Sequence, residues 1–231
     1  ITPNNPTGSV YSKNILLDLI ALARKYNLIL FADEIYSKIV YDEAEYFPLA
    51  SLSEDVFTIS FNGLSKSFRL AGFRSGWMIV SGPKYLAKSY IEGLEILTNM
   101  RLCANVPGQF AVQTALSDHQ SIKDLTLPGG RLKNQRDVTW KLLNQIPGVS
   151  CVKPKGAIYL FPKLDPTVFR IEDDAKFILD ILQQQKILLV EGSAFNIKDK
   201  QHFRIVFLPE EDLLSRAISQ IKTVLDSYAR R

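Results

Sequence analysis

Asp33 stands immediately after the apolar run Leu28 to Ala32, and Lys66 follows a second run, Val56 to Phe61, in the turn Gly63-Leu64-Ser65-Lys66. Asn5 lies in a third turn, Pro3-Asn4-Asn5-Pro6-Thr7-Gly8, placed as if it followed a strand ending at Ile1. Ligands of open α/β sheets collect beyond the C-terminal ends of the strands, so polar residues at these points are site candidates. A lysine amine there can condense reversibly with a carbonyl and then exchange protons with what it holds. A buried carboxylate at the same edge favours the protonated form of a nitrogen base. Each residue also has a plainer use. Asp33 could cap a helix over Glu34 to Ile39, and Lys66 could be a solvated loop lysine. Arg204, early in the apolar stretch Phe203 to Phe207, needs a carboxylate partner, either structural or from a ligand.

The elements that must position these residues are legible from periodicity. Ser12 to Asn27 reads as a helix, with Ser12 as its cap, Ile15, Leu16, Leu19, Ile20 and Ala23 on one face, and Asn27 at the left-handed C-terminal position. Leu28 to Ala32 is a continuous apolar run, the pattern of a strand buried on both faces of a helix-covered parallel sheet. Val56 to Phe61 and Gly76 to Val80 read as further strands. Helices are expected over Lys84 to Met100, Pro107 to Ser117 and Ile122 to Gln145, the last interrupted by Pro128-Gly129-Gly130. The final third mixes strands at Ala157 to Phe161, Ile187 to Val190 and Phe203 to Phe207 with helices at Asp173 to Gln185 and Glu210 to Ala229. An α/β layer followed by an α+β domain is the resulting expectation.

Bulk composition narrows the classes. Lys and Arg number 28 against 24 Asp and Glu in 231 residues, a net charge of +4 with the signs interspersed. That argues against a nucleic-acid partner. No apolar run approaches the length of a membrane span. Cys103 and Cys151 lack metal-ligand spacing and read as two reduced, buried thiols of a cytoplasmic protein with no metal. His119 and His202 have no acidic partner at ligand spacing and read as surface or core residues. The chain opens on a turn two residues from Ile1, so the expectation is of a segment beginning inside a larger protein.

Several separated motifs occur in one order: NNPTG, ADEIY, Ser65-Lys66 with Arg74 eight residues on, and FRIVF near the end. On these the chain resembles the fold-type I pyridoxal-phosphate aminotransferases of class I/II over essentially its whole length. The resemblance implies that Lys66 is the catalytic lysine and holds pyridoxal 5′-phosphate. It implies that Asp33 pairs with the pyridine nitrogen, Tyr36 and Asn5 bond the phenolic oxygen, and Ser65 and Arg74 hold the phosphate. Arg204, with Asn5, would bind the substrate, the guanidinium gripping its α-carboxylate. The fold implied is part of a large α/β domain with a mostly parallel sheet, residues 1–135, and a small α+β domain, residues 136–231. Amino acid and 2-oxo acid substrates and a homodimer come with it.

Two positions depart from the family pattern. Gly63 stands where many relatives carry a phosphate-contacting serine, and Arg69 stands where they often carry a small residue. The stretches FADEIYSKIVYD, TISFNGLSKSFRLAGFRSGW and IPGVSCVKPKGAIYLFPKLD look like those of bacterial alanine (glutamate–pyruvate) aminotransferases. The implied reaction converts alanine and 2-oxoglutarate to pyruvate and glutamate. The competing expectations are another amino-acid aminotransferase, a lyase of the same fold, or the aminotransferase-like effector module of a transcription regulator. The family's earlier segments supply a phosphate loop and a ring stacked on the cofactor, so this segment alone is expected to be inactive.

Overall fold

A computed structural model describes residues 1–117 and 120–230; His119 lies outside the described residues. The chain separates into two compact units, Ile1–Pro3 with Val10–Lys123 and Asn4–Ser9 with Asp124–Arg231.

The first unit begins with helix α1 (Lys13–Tyr26), where the Ser12 hydroxyl accepts the Ile15 N–H and Asn27 closes the helix at φ 51°. Leu16, Ile20 and Ala23 are buried and pack with Ala32, Leu49 and Val56. Ile15 and Leu19, expected on the same face, are exposed, so the buried stripe is only one residue wide per turn. Strands β1 (Leu30–Asp33), β2 (Thr58–Gly63) and β3 (Gly76–Ser81) form a sheet in that order. β1 and β2 are parallel with Asp33 opposite Phe61. β2 and β3 are antiparallel with Gly63 opposite Gly76.

Two expectations are corrected here. The run Leu28 to Ala32 is not buried on both faces: Ala32 packs with the α1 residues, whereas Phe31 is 57% exposed and stacks on Phe61. Nor do these strands make a mostly parallel sheet, since one pairing is parallel and the other antiparallel. The reason lies in the connection between β2 and β3. The Leu64 N–H donates to the Ser75 carbonyl and the Leu70 N–H to the Leu64 carbonyl, each at 3.0 Å. The loop thus closes on itself with no crossover helix, and a chain returned to its starting edge can only run back antiparallel.

Helices α2 (Lys88–Arg101) and α3 (Val106–Ser117) follow, with no residue of α2 buried and only Gly108 of α3. The short helix α4 (Ile122–Thr126) contains the division between the units, and Gly129 at φ 84° separates it from α5 (Arg131–Leu143). The Pro-Gly-Gly interruption is therefore where the sequence places it.

In the second unit β4 (Val149–Ser150) pairs antiparallel with a later strand, β6 (Lys163–Leu164), which follows β5 (Tyr159–Leu160). After α6 (Asp174–Gln185), strands β7 (Val190–Glu191) and β8 (Phe203–Val206) complete an antiparallel sheet in the order β5-β8-β7, and α7 (Glu211–Ser227) ends the unit. Asp173 caps α6 by accepting the Lys176 N–H at 3.1 Å. Helix α7 buries Leu214, Ile218, Ile221, Val224 and Leu225 at helical spacing and packs on α5. β5 is shorter than expected because Ala157 takes φ 58° and breaks the extended run. Both cysteines are free, but Cys103 is exposed rather than buried; burial raises the Cys151 thiol to about 12. No described helix is long and apolar enough to cross a membrane.

Candidate active site

In the first unit the C-terminal ends of the parallel pair β1 and β2 deliver two of the nominated residues. Asp33 is the last residue of β1, and Lys66 follows the end of β2 by three residues. Asp33 is half-buried, and its Oδ1 accepts the Ile35 N–H at 3.2 Å. The segment after it forms turns, not the helix for which Asp33 could have served as cap. Those turns bury Tyr36, and the Lys66 Nζ lies 6.0 Å from the centre of its ring. The Ser67 hydroxyl donates to the Ile35 carbonyl at 3.2 Å, and the Asn62 side-chain amide to the Ser37 hydroxyl at 3.1 Å. These bonds tie the turn after β1 to the turn after β2. The amine, the phenol and the carboxylate are therefore held at one strand edge.

Neighbours missed by sequence reasoning support this edge. The buried Glu34 accepts the Leu49 N–H at 3.0 Å. Burial, and then the Glu34 carboxylate, push the Tyr46 phenol well above its ordinary range. Lys38 donates to the Gln120 side chain and lies 4.8 Å from the Phe68 ring centre, and burial, followed by the charge of Lys123, lowers its pKa. No sequence signal marks Lys38, because Phe68 and Gln120 meet it only through the fold.

Ser65 is half-buried in the turn before Lys66. Arg74 is held at φ 49° and donates from Nη1 to the Ala71 carbonyl at 2.7 Å. It lines a cavity of about 470 Å³ with Trp77, Arg101, Asn105 and Gln109. Lys66 and Asp33 do not line that cavity. Arg101, which the sequence did not single out, adds a second guanidinium there. The glycine departure has a steric reason: a Cβ at Gly63 would stand 2.9 Å from the Ser75 carbonyl oxygen and 3.1 Å from Gly76 Cα. Arg69 takes φ 59° and donates to the Ser121 hydroxyl at 2.5 Å.

The remaining two nominated residues meet in the second unit. The Arg204 Nη1 donates to the Asn5 Oδ1 at 2.9 Å across 199 positions of sequence. Its guanidinium carbon lies 4.6 Å from the Tyr159 ring centre and 5.2 Å from that of Phe195. Neither Tyr159 nor Phe195 received a role from the sequence. The Arg204 Nε is buried and has no hydrogen-bond partner, and among the described residues no carboxylate pairs with this side chain. The structural ion pair open at the sequence level is thus not formed. His202 does have an acidic neighbour, contrary to expectation: its Nδ1 is 2.9 Å from Asp199 Oδ1, with the ring stacked on Phe161.

The donor set suits a phosphorylated pyridine aldehyde. It offers an amine for the aldehyde, a carboxylate for a protonated ring nitrogen, a phenol for an oxyanion, and a hydroxyl and guanidinium for phosphate. In the second unit, a half-buried guanidinium with an unused Nε–H is suited to a carboxylate.

Comparison with known proteins agrees in kind. The family profile "Aminotransferase class I and II" matches residues 2–221. The glutamate-pyruvate aminotransferase AlaA of Escherichia coli K12 is 58% identical over 228 residues, covering 99% of this chain and 56% of that protein. The alanine aminotransferase of Mycobacterium bovis is 55% identical over 228 residues, covering 99% of this chain and 53% of its own length. The chain thus spans about half the length of the curated relatives it matches. A crystal structure of an Escherichia coli aminotransferase superposes with a TM-score of 0.96 at 57% identity, covering 99% of this chain and 57% of the other. Alanine aminotransferase from Pyrococcus furiosus gives 0.90 at 36% identity, covering 97% and 56%. With the profile spanning nearly every residue, the chain belongs to the aminotransferase class I and II family.

Proposed function

We propose that this chain is part of a pyridoxal-phosphate aminotransferase that moves the amino group between alanine and 2-oxoglutarate. The observation that carries the reading is the 58% identity to a glutamate-pyruvate aminotransferase over 99% of the chain. The Arg204 guanidinium, whose Nε has no hydrogen-bond partner, supports it from the chemistry, because both substrates bring an α-carboxylate.

When bound, pyridoxal 5′-phosphate supplies an electron sink for charge developing at the substrate α-carbon. Lys66 would hold the cofactor reversibly through its Nζ, and the same amine would take and return the α-carbon proton of the substrate. Asp33 keeps the pyridine nitrogen protonated by the proximity of its charge. Tyr36 and Asn5 donate to the phenolic oxygen, and Ser65 and Arg74 hold the phosphate. Arg204 grips the α-carboxylate, its free N–H and the aromatic rings beside it orienting the contact. The division into a large-domain portion, 1–135, with a mostly parallel sheet in the intact protein, and a small domain, 136–231, belongs to the same proposal. So do a homodimer and a cytoplasmic location.

The test is a panel of amino donors with the full-length protein, measuring 2-oxo acid formed against 2-oxoglutarate. Alanine is expected to be the fastest donor. Arg204→Ala is expected to lower kcat/KM for alanine and for 2-oxoglutarate by on the order of a hundredfold each, the cost of losing a charged bidentate contact. Aspartate or an aromatic amino acid reacting much faster than alanine would overturn the substrate assignment.

A further inference from the structure

A fully buried arginine lies in the second unit away from the guanidinium already described. Arg136 of α5 has 0% exposure. A charge this deep needs partners, and both a carboxylate and a backbone carbonyl meet it. Its Nε and Nη2 reach Asp137 Oδ1 at 2.8 and 2.6 Å, while its Nη1 donates to the Pro154 carbonyl at 3.0 Å. Asp137 is shared further, with Lys133 at 2.8 Å and Lys153 at 3.0 Å. Three cations thus converge on one carboxylate. Although burial opposes its ionisation, the hydrogen bonds from Lys133, Lys153 and Arg136 lower its pKa.

The Pro154 carbonyl is one end of a short turn that carries two walls of the Arg204 site. In that turn the Lys155 and Gly156 N–H groups both donate to the Gly8 carbonyl at 2.9 Å. Gly8 is at φ 67°, and a Cβ there would lie 2.3 Å from Pro154 Cβ, so the two segments touch backbone to ring. Gly8 closes the loop bearing Asn5, through its N–H to the Asn4 carbonyl at 2.9 Å and through Thr7 Oγ1 to Asn4 Oδ1 at 2.8 Å. Asn5 in turn accepts from Arg204. On its other side the turn runs directly into β5, whose Tyr159 faces the Arg204 guanidinium. The arm that fixes Pro154 therefore fixes both the acceptor and one of the aromatic faces that orient Arg204.

We propose that Arg136 is a positioning residue for carboxylate recognition, acting on Arg204 through the Pro154–Gly156 turn. It touches no substrate. Its planar fork spans from Asp137 to a backbone carbonyl, a geometry that a lysine ammonium, a single point of charge, does not reproduce. The inference rests on the reading of Arg204 as the α-carboxylate ligand.

The test uses the full-length protein loaded with pyridoxal phosphate and propionate, a plain monocarboxylate, as a probe that needs no turnover. Arg136→Lys is expected to weaken propionate binding, measured by calorimetry, by about tenfold, as a small misplacement of a clamp does. The KM values for amino and oxo acid should rise by a similar factor, with kcat changing far less. In an Arg204→Lys background the added Arg136→Lys change should cost nothing further, because the two act on one contact. Thermal melting and cofactor content report whether the variants fold; if Arg136→Lys does not, Pro154→Ala, which loosens the same turn where it packs on Gly8, is read in the same cycle. Propionate affinity equal to wild type in a folded variant, or losses that simply add to those of Arg204→Lys, would overturn the proposal. Wild-type protein that binds propionate through Arg204 but does not react with alanine would sink the alanine assignment and leave this inference standing.

Discussion

Lys66 sits at the strand edge beside a buried phenol and three residues past β2, and its neighbours hold it there: its own carbonyl accepts the Arg69 N–H at 3.0 Å, and the next residue, Ser67, is anchored to the Ile35 carbonyl. An amine so placed shares the C-terminal edge of the parallel β1–β2 pair with Asp33. Reduction with borohydride in the presence of pyridoxal phosphate, followed by peptide mapping of the full-length protein, is expected to place the label on Lys66, and Lys66→Ala should abolish it. Label on Lys38, the other partly desolvated lysine nearby, would transfer the cofactor role and undo the assignment.

At the scale of elements, helix α5 combines a core face with a charge cluster, and the cluster makes its stability depend on pH. Asp137 titrates below the ordinary carboxylate range, because the hydrogen bonds from Lys133, Lys153 and Arg136 outweigh its burial. A carboxylate with a depressed folded pKa contributes stability that is fully present above its unfolded value, about 4. That contribution disappears as pH falls through the lower folded value. Asp137→Asn should therefore melt at a lower temperature than wild type at pH 7 and show a shallower loss between pH 5 and pH 2, approximate limits set by the same linkage. Thermal melts followed by circular dichroism measure both, and parallel acid limbs for the two proteins would contradict the account.

The whole molecule carries a large unpartnered apolar surface on its first unit. Ile79, Leu97 and Phe110 are 55%, 64% and 77% exposed, and α2 buries nothing. Large apolar side chains left this exposed on one unit support the proposal that the intact protein covers them. A binding site whose walls lack that support loses preorganisation and with it affinity. The 231-residue chain by itself is expected to bind pyridoxal phosphate at least about tenfold more weakly than a protein of the relatives' full length, by equilibrium dialysis. Equal affinities would show that the donor set at the β1–β2 edge suffices alone.

How much of this was legible in the sequence follows from how local each feature is. The caps of α1, the break at Pro128-Gly129-Gly130 and the helices α6 and α7 depend on residues within a few positions of one another, so periodicity and turn chemistry found them. The order of the Asp33, Lys66, Arg74 and Arg204 motifs was enough to suggest the family. What neighbouring residues cannot encode was decided by the tertiary structure. The antiparallel return of β3 came from a loop closing on Ser75, and Phe31 stayed exposed because no described element covers that face of β1. Local spacing likewise left open whether Arg204 meets a structural carboxylate. The folded chain answers with Asn5, 199 positions away, and two aromatic rings, because only folding brings the half-buried guanidinium to this acceptor, with no carboxylate paired to it among the described residues.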